Sequence, residues 1–259
     1  MKCGIVGYGH VGMAMHKRFT DALIYDEPPK IGSREEINNC DVAFICVPTP
    51  MGDNGECDTS IVENVLEWVK SSTIVIRSTV PVGFTKYMVR KTGKIIAFQP
   101  EYYGETVDHP FADLSNQKWI SIGGDNFAVN ATMNFYQERV NSEIRFYTAD
   151  SDTVELAKYM ENAYLATKVV FCNEMYDLAK KMGINYNQAR EIWLADPRIG
   201  RSHTFVFPDN RGFGGSCLPK DTRALVAMGR HYKSDMTLLD SVIRKNEILR
   251  GDRDEHNIK

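Results

Sequence analysis

Three glycines in Gly7-Tyr8-Gly9-His10-Val11-Gly12 follow an apolar run at 2–7 and open a helical pattern. A turn of this kind has a definite chemistry. Gly7 permits the tight bend, Gly9 lets the backbone approach a pyrophosphate, and Gly12 allows close helix–sheet packing. The N–H groups of the opening helix, around Tyr8, His10 and Val11, then meet the phosphate charge. Asp26 ends the next apolar run, close to the roughly 20-residue interval expected of a carboxylate that binds an adenosine ribose. It would accept bonds from the 2′- and 3′-hydroxyls and repel a 2′-phosphate, which selects NAD over NADP. A turn that merely packs, with Asp26 solvated, is the plainer alternative; the strand–turn–helix context favours the dinucleotide.

Other residues point to a second kind of chemistry. Cys217 lies between Gly212-Phe213-Gly214-Gly215-Ser216 and the helix-like start Leu218-Pro219-Lys220-Asp221. A thiol there meets helix N–H groups and the Lys220 charge, both of which favour the thiolate; in a packed interior it would be only a small hydrophobe. Lys158 and Asn162 stand one helical turn apart and share a face. An ammonium and an amide N–H so placed can stabilise an oxyanion, although a solvated face is the default for such a pair. Glu101 and Glu105 follow the fifth apolar run, where ligands of α/β proteins gather.

The elements that must position these groups fall into two halves. Candidate strands at 2–7, 22–25, 41–46, 73–77, 94–98, 119–123 and 143–147 alternate with helical patterns at 11–19, 60–69, 84–91 and 126–137. Short apolar strands alternating with helices predict a parallel sheet covered on both faces. The connection 27–40 holds a turn or two of helix and is barely long enough for a parallel crossover. From 151 to about 181 runs one long helical pattern, its stripe read from Leu156, Tyr159, Ala163, Ala166 and Val170, with Asp150 or Ser151 as cap and Gly183 beyond its end. Shorter helices follow at 186–194, from about 220 and from about 236. The reading is α/β: a Rossmann-like domain at 1–150 that binds the dinucleotide, then an all-helical catalytic and dimerisation domain at 151–259 entered through the long helix.

Composition narrows the classes. The 259 residues are 43% hydrophobic and 25% charged, ordinary for a folded protein, and the net charge of −3 supplies no basic excess for nucleic acid. No apolar stretch approaches the roughly 20 residues that span a bilayer, and the glycine turn comes too early for a signal peptide. The six cysteines form no CxxC pair and the six histidines no metal spacing. The expectation is a cytoplasmic protein without structural disulfides or metal.

Several stretches, in order, resemble the UDP-glucose/GDP-mannose dehydrogenase family, and most nearly its UDP-glucose 6-dehydrogenases. They are Val47-Pro48-Thr49-Pro50, Ser78-Thr79-Val80-Pro81-Val82-Gly83, Gln99-Pro100-Glu101-Tyr102-Tyr103-Gly104-Glu105, Lys158-Tyr159-Met160-Glu161-Asn162, Asp196-Pro197-Arg198-Ile199-Gly200 and Gly212-Phe213-Gly214-Gly215-Ser216-Cys217-Leu218-Pro219-Lys220-Asp221. The resemblance implies oxidation of a sugar C6 alcohol to a carboxylate with two NAD in succession. Cys217 would hold the half-oxidised carbon as a thiohemiacetal and then a thioester. Lys158 and Asn162 would stabilise the oxyanion. Glu101 would serve thioester hydrolysis, and Thr79 and Asp221 would orient the water, with Asp221 or Glu101 as base.

The same resemblance places Val47, Pro48, Thr49, Ser78, Thr79, Glu105, Cys217 and Lys220 with the glycine turn around NAD. It places Glu101, Tyr102, Lys158, Asn162, Phe213 and Gly214 near the nucleotide sugar. Arg198 would reach the sugar from a neighbouring subunit, or else simply pair with Asp196. A homodimer through exposed apolar positions of the long helix is expected.

The sequence departs from the family's pattern in its short 27–40 segment. It also ends at Lys259, without the further α/β domain that closes over the nucleotide sugar, and its charged tail should fray. Competing readings are a minimal or partner-completed enzyme, a dehydrogenase for GDP-mannose or UDP-N-acetylmannosamine, an NAD-binding protein without turnover, and a two-electron β-hydroxyacid dehydrogenase. Ser216, where a histidine often stands in the enzymes for those other sugars, favours UDP-glucose.

Overall fold

The computed structural model describes residues 1–28, 30–52, 55–103 and 116–251. Seven strands form one sheet in the order β2-β1-β3-β4-β5-β6-β7. The parallel set comprises β1 (Cys3–Val6), β2 (Leu23–Tyr25), β3 (Val42–Ile45), β4 (Thr73–Ile76) and β5 (Ile96–Phe98). The central strands β1, β3 and β4 are buried at every residue, because helices cover both faces of the sheet. One face packs Phe19, Phe44, Phe135 and Tyr136; the other packs Ile45, Leu66, Ile74 and Ile76.

The helices of this half are α1 (His10–Arg18), α2 (Arg34–Asn38), α3 (Ser60–Trp68), α4 (Phe84–Thr92) and α5 (Asn126–Gln137). The short α2 within 27–40 is secured by a capping box, in which Ser33 and Glu36 satisfy each other's N–H groups.

The sheet is parallel as expected except at one junction. Strand β6 (Trp119–Gly123) meets β5 antiparallel, through the single pair Phe98↔Gly123, whereas β6 and β7 (Arg145–Ala149) run parallel around α5. The reversed β6–α5–β7 unit therefore touches β5 end to end. Gly123 pairs with Ala149 as well as with Phe98, so the carboxyl ends of all three strands meet at one edge. There the chain passes through Asp150, whose carboxylate accepts from the Thr153 N–H at 3.0 Å, into α6 (Ser151–Lys181). Gly123 has no room for a side chain: a Cβ would lie 2.9 Å from atoms of Ser151 and Val154.

Helices α7 (Tyr186–Trp193), α8 (Leu218–His231) and α9 (Thr237–Arg250) complete the chain. Two compact units result, one of residues 1–50 and 57–158, the other of 51–56 and 159–259. The division falls inside α6, because its first two turns, with Val154 and Glu155 buried, pack in the sheet unit. The periodic stripe also needs one correction. Tyr159, Ala163, Ala166 and Val170 are buried, but Leu156, at the N-terminal end of the same stripe, is exposed. In the helical unit the core gathers Ala166, Val170, Phe213 and Val242. Among the described residues no helix is long and apolar enough to cross a membrane.

Candidate active site

In the sheet unit the glycine turn leaves β1 and enters α1. Gly7 has φ of +94°, and a Cβ there would lie 2.8 Å from the Cys46 carbonyl oxygen. A Cβ on Gly12 would lie 2.0 Å from the Gly7 oxygen, so α1 sits on the turn as closely as a helix can. Gly9 is different, for a Cβ there meets no protein atom within 4 Å. Helix α1 has no side-chain cap and no acidic residue in its first turn, while His16, Lys17 and Arg18 balance its last turn. Its positive end, with backbone open to close approach at Gly9, suits an anionic phosphate. Asp26 stands beside the turn and accepts from the Tyr8 N–H at 3.1 Å. The Tyr8 hydroxyl bonds His16 Nδ1 at 2.9 Å, which ties the turn to the body of α1. These features fit a dinucleotide.

The segments that follow β3, β4 and β5 complete this half. The buried Ser78 hydroxyl donates to the Val47 carbonyl at 2.6 Å and so fastens the segment carrying Pro48 and Thr49. The half-buried Thr79 offers its carbonyl to the Cys57 thiol at 3.2 Å. Beyond β5, Glu101 is half-buried and Tyr102 buried, the Tyr102 ring edge-on to Trp119 at 4.3 Å. Lys158 is buried, not solvated, and its ammonium lies 4.6 Å from the Tyr102 ring centroid, within cation–π range. Glu105 lies outside the described residues.

In the helical unit, α8 begins immediately after Cys217, which occupies the cap position, is exposed, and makes no side-chain cap bond. Pro219 in the first turn has no N–H to satisfy. The sulfur thus stands at the positive end of a helix, with the Ser216 hydroxyl 3.6 Å away. The other five cysteines are buried. The Asp221 carboxylate, one turn into α8, is 1% exposed. Its two oxygens are shared out: the Asn162 amide donates to Oδ2 at 2.5 Å and the Lys220 ammonium to Oδ1 at 2.6 Å. Lys220 therefore spends its charge on Asp221, a partner the spacing alone did not single out.

Phe213 and Gly214 precede Cys217 in the loop that leads into α8. The Phe213 ring packs in the helical core, and Asn246 clamps its backbone, accepting from the N–H at 2.7 Å and donating to the carbonyl at 2.9 Å. At Gly214 a Cβ would lie 3.0 Å from the Arg250 guanidinium. Asn246 gave no signal in the sequence, since its partner is 33 residues away. Arg198 is largely exposed and folds back on Asp196, bonding both carboxylate oxygens and holding that carboxyl below its usual range.

A parallel sheet with a glycine turn before α1, joined to a helical unit through one long helix, defines a dinucleotide-binding α/β protein of the dehydrogenase type. Residues 30–139 match the NAD binding domain of the UDP-glucose/GDP-mannose dehydrogenase family, and residues 152–248 match the family's central domain. The chain belongs to this family. It is similar to the UDP-glucose 6-dehydrogenase of Rickettsia typhi, 35% identical over 83% of this chain and 51% of the relative. It thus spans about half the length of the curated relatives it matches. Among solved structures it is similar to a UDP-glucose dehydrogenase of Pyrobaculum islandicum, with 27% identity and a TM-score of 0.83 over 95% of this chain and 68% of that one. A UDP-D-ManNAc dehydrogenase of Pyrococcus horikoshii gives 25% identity and a TM-score of 0.79 over 96% and 69%.

Proposed function

We propose that this chain supports the NAD-dependent, four-electron oxidation of UDP-glucose to UDP-glucuronate. One observation carries the reading: an exposed thiol at the start of α8, followed one turn later by a buried carboxylate with donors on both oxygens. NAD, when bound, supplies the hydride acceptor for each of the two oxidations. Loss of hydride from C6 and a proton from its hydroxyl yields an aldehyde. The Cys217 thiolate adds to that carbon, and the resulting thiohemiacetal oxygen is stabilised by Lys158 and Asn162. A second hydride loss leaves a thioester. Water, oriented by Thr79 and Asp221 with Glu101 or Asp221 taking its proton, releases the acid and returns the thiolate.

Tyr102 backs Lys158, Gly214 lies by the diphosphate, and Arg198 serves a neighbouring subunit. The dimer forms through Met160, Tyr164, Phe171, Met175, Leu178 and Met182, an exposed apolar stripe on α6. The net charge of −3 argues against a nucleic-acid partner, and NAD use with buried thiols suits the cytoplasm.

The test is stopped-flow NADH production with UDP-glucose. Two NADH per sugar are expected. One per sugar means a simple alcohol dehydrogenase, and none means a binding protein. Parallel runs with GDP-mannose and UDP-N-acetylmannosamine decide the sugar.

A further inference from the structure

Helix α4 begins at Gly83, which has φ of +91° and supplies no side chain to its free N–H groups. The cap comes from far along the chain. Glu155, in the first turns of α6 and fully buried, accepts from the Gly83 N–H on Oε2 at 2.6 Å and from the Thr85 N–H on Oε1 at 3.0 Å. The segment so gripped runs directly back to Thr79, and one turn beyond Glu155 on α6 lies Lys158. A carboxylate at a helix N-terminus is favoured by the helix dipole, and each of its oxygens faces a donor.

We propose that Glu155 is a positioning residue, which holds the 79–83 segment against the turn of α6 that carries Lys158 and so keeps Thr79 and Lys158 in working register. The inference rests on the roles given to those two residues above. Only the carboxylate can do this: the acid has one good acceptor oxygen and turns its O–H toward a second N–H donor. Burial pushes the Glu155 carboxyl from 4.5 up to about 7, against the pull of its N–H bonds, and the Asp152 charge adds to the rise. Among the described groups facing this site, Asp152 on α6 pairs with Lys86 on α4 at 3.4 Å, and Lys158 follows on the next turn of α6. Ionisation of Glu155 thus falls in the working range. Protonation releases the start of α4.

The experiment compares the wild-type chain with Glu155→Gln and Asp152→Asn, in kcat and KM from pH 5.5 to 9 and in thermal melting from pH 4 to 9. Wild type should lose kcat on an acidic limb centred near 7. Glu155→Gln should lower kcat about tenfold or more through misplacement, with little change in KM for NAD and without that limb. Asp152→Asn, which alters a half-buried neighbour and tests the idea if the first variant folds poorly, should shift the limb to lower pH. Melting gives an arm independent of turnover. Because the folded chain holds this proton more tightly than the unfolded one, wild-type stability should fall as pH rises from 4.5 toward 7, and this slope should vanish in Glu155→Gln. An unchanged acidic limb in both variants overturns the proposal. Absence of turnover in wild type, with the melting slope present, instead overturns the functional reading and leaves the tie between α4 and α6 standing.

Discussion

Two alanine substitutions in one turn should have opposite consequences. In Gly12→Ala the new Cβ would lie 2.0 Å from the Gly7 carbonyl oxygen, about 1.4 Å inside ordinary van der Waals contact, and both partners are backbone. Nothing flexible can yield, so α1 must lift from the turn. An overlap of this size costs roughly 3 kcal/mol or more, which for a chain of this length lowers Tm by about 6–12 °C. In Gly9→Ala the Cβ meets no protein atom within 4 Å, and the backbone at φ −75°, ψ −164° is open to alanine. Exchanging glycine for alanine at such a cap position changes stability by only ~0.5 kcal/mol, since reduced freedom of the unfolded chain offsets the poorer cap. The same methyl projects where a pyrophosphate must approach, so NAD affinity should fall at least about tenfold. Melting curves paired with NAD titration by calorimetry read both quantities. A Gly9→Ala chain that melts as early as Gly12→Ala, or that binds NAD as tightly as wild type, refutes this account of the turn.

The other predictions concern the helical unit. Cys217→Ser should abolish release of UDP-glucuronate while leaving NAD titrations unchanged, because the serine cannot carry a thioester; undiminished acid by chromatography would remove Cys217 from the reaction. Asn162→Ala leaves a buried Asp221 oxygen without its amide donor and should cost ~2 kcal/mol in urea unfolding, together with a fall in kcat. A variant of full stability and full kcat would show the Asn162–Asp221 bond to be dispensable.

Much of this molecule is written locally. The apolar runs of β3 and β4 sit where parallel strands must be covered on both faces, Thr73 being their one polar residue, and a glycine turn between strand and helix is defined by residues that touch one another. What escaped sequence reasoning depends on partners far along the chain. The reversal of β6 against β5 is one case, since an apolar run states that a strand forms but not which way its neighbour points. Exposure offers a faint clue: β6 alternates between buried and half-buried residues and β7 is mostly exposed, unlike the fully buried central strands. Glu155 and Asn246 are the other case. Each is a single polar residue on a helix whose meaning comes from peptide groups about 70 and 33 residues away, so spacing within the helix is silent. Lys158 and Asn162 lie between these extremes. Their shared face was legible, whereas their burial was not.

The helix starts show how the chain separates structural from chemical demands. A free N-terminal turn carries unsatisfied N–H groups and positive potential, so a helix that only supports the fold does best to satisfy them at once. Ser33 does so for α2, Asp58 for α3, Asp125 for α5, Asp150 for α6, Asn185 for α7 and Asp235 for α9, each bonding a first-turn N–H from next to the helix. Helix α4 obtains the same satisfaction from the distant Glu155. At α1 and α8 the residues in the cap position, Gly9 and Cys217, make no side-chain cap bond, and one helix opens on the glycine turn while the other opens on Cys217. A capping carboxylate at either place would compete with the charge the proposed function puts there, a pyrophosphate at α1 and a thiolate at α8.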